Sequence, residues 1–239
     1  MTLKGQRIVV LGGTSGIGYA TAEAAAAEGA VVVVASSRDE GVKRALAGLP
    51  STAEGRVVDL ASEDGIRAFF ESTAPFDHLV YTAGEPLQLQ ELGPMRLDAA
   101  RAFFNLRFWG ALTCVKYARE KVRRGGSIVL TSGVAKDRPQ KGWTVAASIC
   151  GAVEALTRAL AVELAPIRVN AVAPGVVRTP LWKNLGEGAE QVLYREVARS
   201  LPVGRVGEPQ DIAEAYLYLM RERFSTGQVV TVDGGTVLV

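Results

Sequence analysis

Apolar positions along the chain fall into two alternating patterns. Short runs rich in Val and Ile lie near Arg7–Leu11, Val31–Ser36, Arg56–Val58, His78–Tyr81, Ser127–Thr131, Arg168–Val172 and Val229–Val232. Between them, apolar residues take helical spacing over about Gly16–Gly29, Asp39–Ala47, Ser62–Thr73, Leu97–Arg124, Thr144–Leu164 and Pro209–Met220. Strands that are apolar on both faces belong in a parallel sheet covered by helices on either side, and parallel neighbours need helical crossovers. Seven strands and six helices therefore predict an α/β fold: a single doubly wound Rossmann-type domain over residues 1–239 with a seven-stranded parallel sheet. Ser62 and Gly29 supply a start and a stop signal for two of the helices. The least regular segment, Pro174 to Gly207, follows the sixth strand beyond its carboxyl end, where ligands of open sheets bind, so it is expected to serve as a lid.

The connection between the first strand and first helix reads Gly12-Gly13-Thr14-Ser15-Gly16-Ile17-Gly18. Glycines there permit a tight turn and let backbone N–H groups approach a pyrophosphate at the helix N-terminus. The spacing is Gly-x3-Gly-x-Gly, unlike the commoner Gly-x-Gly-x-x-Gly. At the end of the second strand a site for NAD usually presents a carboxylate to the adenosine ribose. This chain offers Ser36-Ser37-Arg38 instead. Two hydroxyls and a guanidinium suit a 2′-phosphate, which a carboxylate would repel, so the expected cofactor is NADP(H) in preference to NAD(H). Asp39 is read as the start of the next helix, and a solvated Arg38 without a ligand is the competing reading.

Composition removes other classes. The 239 residues carry 27 Lys+Arg, 25 Asp+Glu and one His, for a net charge of +2, and 48% are hydrophobic, which excludes disorder. Two cysteines, Cys114 and Cys150, build neither a disulfide framework nor a metal cluster and fit a reducing cytoplasm. Gly12 ends the first apolar run early, and no later stretch is expected to approach the ~18 apolar residues a membrane span needs, so no membrane partner is expected. The basic run Lys116, Arg119, Lys121, Arg123 and Arg124 is read as closing a long helix, where cations complement the dipole, and no nucleic acid is expected.

The chain resembles the short-chain dehydrogenase/reductase family over almost its whole length. The residues that carry the resemblance are Ile167-Arg168-Val169-Asn170-Ala171-Val172-Ala173-Pro174-Gly175 with Thr179-Pro180, then Gly204-Arg205-Val206-Gly207-Glu208-Pro209, Thr226-Gly227-Gln228 and Val232-Asp233-Gly234-Gly235. Tyr81-Thr82-Ala83-Gly84 stands where the family shows Asn-Asn-Ala-Gly. The resemblance implies cofactor contacts from Asp59 and Leu60 at adenine, from Ala83 and Gly84, and from Pro174, Gly175, Val177 and Thr179 along the loop that meets the nicotinamide. It also implies a homo-oligomer, a tetramer or a dimer, paired through helices around Asp98–Arg124 and Thr144–Leu164. Ala152, Ala155 and Ala159 on the latter permit close approach.

The family's proton-transfer residues are missing. Its Tyr is a general acid/base, a Lys four residues later lowers the Tyr pKa and holds the nicotinamide ribose, a Ser thirteen residues before the Tyr binds the substrate oxygen, and an Asn supports a relay. Gly151-Ala152-Val153-Glu154-Ala155-Leu156-Thr157-Arg158 resembles the sequence after that Lys. Cys150 thus falls at the Lys, Ala146 at the Tyr and Gly133 at the Ser, while Asn105 is retained. Substitute donors to be sought are Lys136, Lys141, Tyr81 and Tyr194, with Ser132 reachable by a one-residue slip. Cys150 reads as a reactive thiol or a buried filler, and His78 as structural. Two functions stay open: an NADP(H)-dependent oxidoreductase on a small carbonyl or alcohol with an unorthodox proton donor, or a cofactor-binding sensor, partner subunit or scaffold with little catalysis.

Overall fold

The computed structural model describes residues 2–186 and 188–239. Its strands are β1 (Arg7–Leu11), β2 (Val31–Ser36), β3 (Glu54–Val57), β4 (Phe76–Tyr81), β5 (Val122–Thr131), β6 (Arg168–Pro174) and β7 (Val229–Val232). They form one parallel sheet in the order β3-β2-β1-β4-β5-β6-β7. The helices are α1 (Gly16–Ala27), α2 (Asp39–Gly48), α3 (Glu63–Glu71), α4 (Leu97–Phe104), α5 (Ala111–Ala118), α6 (Thr144–Glu163), α7 (Ala189–Ser200) and α8 (Pro209–Arg221).

Alternate side chains of each strand serve opposite layers. Val9, Leu11, Leu79, Ile128 and Val169 face a core that includes Phe70, Val115 and Val153 of α3, α5 and α6. Ile8, Val10, Val34, Val129 and Val172 face the other core, with Ala22 and Ala25 of α1 and Ile212 and Tyr216 of α8. The chain winds outward from β1 to β3 and then returns to β4 on the other side of β1. The strand order therefore reverses between β1 and β4, where a crevice opens at the carboxyl edge.

Four expectations need correction. The helix read over Leu97–Arg124 is two helices joined by a π-turn, Asn105–Gly110. Gly110 ends that turn against the sheet: a Cβ there would lie 2.6 Å from the Leu60 carbonyl oxygen and 2.7 Å from the Tyr81 hydroxyl. Secondly, α5 stops at Ala118 and β5 starts at Val122, so Arg123 and Arg124 lie on a strand and do not close a helix. Lys116 pairs with Glu63 and Arg123 with Asp77 at 2.8 and 2.9 Å. The strand start was hidden because Gly125 takes a φ of +86° and Gly126 packs under the Asp77 carbonyl, a distortion where β4 and β5 shift register. Thirdly, the irregular segment holds α7 and a 3-10 turn, Pro180–Leu185. They pack on their own cluster of Trp182, Tyr194 and Val206, joined to Leu87 and Trp143. Finally, α6 is by length and composition apolar enough to cross a membrane; in this fold one face of it is core, and Val162 on the other is 82% exposed.

Candidate active site

The turn after β1 is pressed into the structure at its glycines. Gly12 has a φ of +85°, and a Cβ on it would stand 2.6 Å from the Ala83 backbone nitrogen. A Cβ on Gly18 would stand 2.3 Å from both the Gly12 carbonyl and the Thr82 hydroxyl oxygen. No side chain fits at either place, so the turn lies close to the start of α1. Ser15 caps α1 without a side-chain hydrogen bond, and no acidic residue occupies the first turn. The first-turn N–H groups and the helix dipole are thus left for an anion. Thr179 and Pro180 close over this end: a Cβ on Gly16 would lie 3.4 and 3.6 Å from them. These residues fit the pyrophosphate of a dinucleotide.

At the end of β2, Ser36 is half-buried and Ser37 and Arg38 are exposed. Asp39 opens α2 and is held by Lys43 at 2.6 Å, which leaves Arg38 with no ion pair among the described residues. Asp59 is exposed and its Oδ1 accepts the Ala61 N–H at 2.9 Å, while Leu60 is buried beneath it.

At the other end of the crevice lies a cavity of about 70 Å³ between β4, β5, α4 and α6. Gly133, Ala146 and Cys150 converge there. Ala146 and Cys150 line the cavity one helical turn apart, and a Cβ on Gly133 would lie 3.2 Å from Cys150 Sγ. Trp143 packs towards Trp182, with ring centroids 6.3 Å apart, and leaves the space beside Ala146 open. Burial pushes the Cys150 thiol up to about 11, against the pull of Arg107, so it is a neutral filler at pH 7.

The proposed substitute donors are committed elsewhere. The Tyr81 hydroxyl donates to the Leu106 carbonyl at 2.5 Å, and burial holds its pKa well above the ordinary phenol value. Ser132 lines the cavity but donates to Glu154 Oε1 at 3.0 Å and to the Cys150 carbonyl at 3.2 Å. Lys136 is pulled down by burial, more than offset by Asp137 and by Glu154 at 3.3 Å, so it stays charged and paired. Lys141 is 82% exposed and bonded to Glu91, away from the cavity. Tyr194 is buried in the cluster with Trp182 and Val206, beneath Arg178. Asn105 opens the π-turn on the exposed side and does not line the cavity. His78 is structural as expected: its ring bonds to the Ser127 hydroxyl at 2.8 Å and to Gln6 Oε1 at 2.7 Å.

The sequence reading missed Arg107, Glu85 and Glu154. Arg107 lines the cavity from within the π-turn, its guanidinium donating to the Glu85 carbonyl oxygen. Nothing in helical periodicity could place it, because the extra residue of the turn changes which side chains face inward. Glu154 had a signal, a lone carboxylate on the inward stripe of α6, where it is 5% exposed.

Comparison with known proteins yields one consistent group. A family model described as Enoyl-(Acyl carrier protein) reductase matches residues 12–237. The chain is 38% identical over 252 residues to the short-chain dehydrogenase/reductase ATR9 of Stachybotrys chlorohalonatus, with 99% of each chain covered. Among solved structures it is similar to a small-chain dehydrogenase in complex with NADPH, at a TM-score of 0.87 and 34% identity, covering 99% of this chain and 100% of that one. It is also similar to the MalC reductase/Diels-Alderase of Malbranchea aurantiaca, at a TM-score of 0.91 and 29% identity, covering 99% and 98%.

Proposed function

Because the chain belongs to the short-chain dehydrogenase/reductase family, we propose that it binds NADP(H) in preference to NAD(H) and is an oxidoreductase on a small carbonyl or alcohol substrate, working through a site without the usual proton-transfer groups. The observation that carries the cofactor choice is Arg38, exposed at the end of β2 with no carboxylate paired to it among the described residues. Gly12, Thr14, Ser15, Gly16, Ile17 and Gly18 would hold the pyrophosphate, and Ser36, Ser37 and Arg38 the 2′-phosphate. Asp59 and Leu60 would border adenine. Ala83, Gly84, Pro174, Gly175, Val177 and Thr179 would border the nicotinamide half. The bound cofactor supplies or accepts a hydride at its nicotinamide ring.

What the chain itself supplies beside that ring is an apolar wall of Leu87, Phe103 and Ile149 and the hydroxyls of Thr131 and Ser132. Thr131 donates to the Tyr81 carbonyl and Ser132 to Glu154, so neither proton is free for a product oxygen. General acid/base help is typically worth ~10²–10⁴ in rate, and its loss makes turnover slow. That same commitment of both hydroxyl protons favours a second reading, a cofactor-binding sensor, partner subunit or scaffold. The account further assigns one domain over residues 1–239, a reducing cytoplasm in which Cys114 and Cys150 stay thiols, and a homotetramer or dimer. Calorimetric titration with NADPH and NADH tests the cofactor assignment. Tighter NADPH binding is expected; equal affinity or a preference for NADH refutes it.

A further inference from the structure

Resting on the NADP(H) reading above, we propose that the Arg107 guanidinium holds the nicotinamide ribose of the bound cofactor and that Glu85 parks it there beforehand. Among the described residues, Arg107 is the only charged one that lines the cavity. Its guanidinium covers Gly84: a Cβ at that position would lie 2.6 to 2.8 Å from Nη1, Cζ and Nη2. The neighbouring residue, Ala83, is the one pressed against Gly12 in the phosphate turn. Two consecutive residues after β4 therefore link the cradle for the pyrophosphate to the cation. In an open sheet a dinucleotide spans the point where strand order reverses, here between β1 and β4, so its second ribose passes over the end of β4. Arg107 stands at that end, where its planar fork of N–H donors would suit a pair of vicinal hydroxyls.

The present partners of Arg107 leave it work to do. Its Nε and Glu85 Oε2 are 3.6 Å apart, both buried and both without a hydrogen bond. A buried polar group without a partner is unfavourable, so the unbonded Nε favours any acceptor that enters the cavity within its reach. Phe103 supports the guanidinium face at 4.8 Å, which fixes its plane while leaving its edge to rearrange. The π-turn is the device that brings this side chain inward, and such turns recur at functional sites.

The test is calorimetry on wild type, Arg107→Gln, Arg107→Lys and Glu85→Gln with two probes: NADPH, and adenosine 2′,5′-bisphosphate, which lacks the nicotinamide ribose. Arg107→Gln should weaken NADPH by about tenfold or more, as expected for charge-assisted bonds, and Arg107→Lys by less. Both should hold the bisphosphate within about twofold of wild type, which also reports that they are folded. Glu85→Gln should tighten NADPH a few-fold by releasing the guanidinium, with the bisphosphate unchanged. The inference is overturned if Arg107→Gln leaves NADPH affinity unchanged, or if Arg107→Lys and Glu85→Gln alter the two probes in parallel. A wild-type protein that binds neither probe refutes the underlying cofactor reading, a result distinct from these.

Discussion

Arg38 and the trio Gly133, Ala146 and Cys150 pull the residue-scale account in opposite directions, one completing a cofactor site and the other emptying a catalytic one. Asp39 is taken up by Lys43, so Arg38 is available to a phosphate. Arg38→Ala should weaken NADPH by about 1–2 kcal/mol in calorimetry and leave NADH nearly unchanged; equal loss for both cofactors would contradict its role. Gly133 has an extended φ of −179° that any residue adopts, and the nearest atom to a Cβ there is the sulfur that Cys150→Lys removes. The serine of the triple change Gly133→Ser, Ala146→Tyr, Cys150→Lys therefore has room, and the folded triple variant should raise carbonyl reduction by NADPH at least ~10²-fold. No gain in a folded triple variant would show that proton transfer is not what limits the site. The proposed vacancy at these positions rests on two sequence anchors, the β5 strand and the residues after Cys150, which meet without a gap. Arg107 was not legible in the sequence, since its direction depends on a backbone turn that leaves no mark in residue spacing.

At the scale of elements, the sheet was legible wherever strands are continuous β-branched runs, as in β1, β2 and β6, and illegible where glycines interrupt them. Gly125 and Gly126 hide the first half of β5, and α7, although Leu193, Tyr194 and Val197 fall at helical spacing, is obscured by the glycines and prolines on either side of it. His78 joins β4 to β5 through Ser127 and is 3% exposed. Burial, then the nearby Arg168 charge, lowers its pKa to about 4. Between that value and the unfolded value of about 6.5, the unfolded chain binds the proton and the folded chain does not. The stability this group contributes is therefore full above pH 6.5 and is lost as pH falls towards 4, by at most about 3 kcal/mol. Urea unfolding of wild type and His78→Asn at pH 7, 5 and 4 checks this: the wild type should lose more stability over the window than the variant. Parallel losses would mean that His78 is protonated in the folded state as readily as in the unfolded one.

For the whole molecule, α6 and the π-turn leave individual large apolar side chains in solvent. Trp109 is 55% exposed and Val162 is 82% exposed, beside the small residues Ala152, Ala155 and Ala159 of α6. Exposed apolar side chains and small residues on these elements fit the assembly proposed above, so light scattering at micromolar concentration should give a tetramer or dimer mass. Val162→Arg should shift that mass downward, and a monomeric wild type would remove the assembly from the account. The central claim is that the cofactor end of the crevice is complete while the proton-transfer end is not. Steady-state oxidation of NADPH by the wild-type protein across common aldehydes and ketones tests it most directly. The account expects rates at least ~10²-fold below a typical enzyme turnover of about 10 per second, with NADPH bound throughout. Turnover at tens per second on any of these carbonyls would contradict it, because some group in this site would then be delivering the proton.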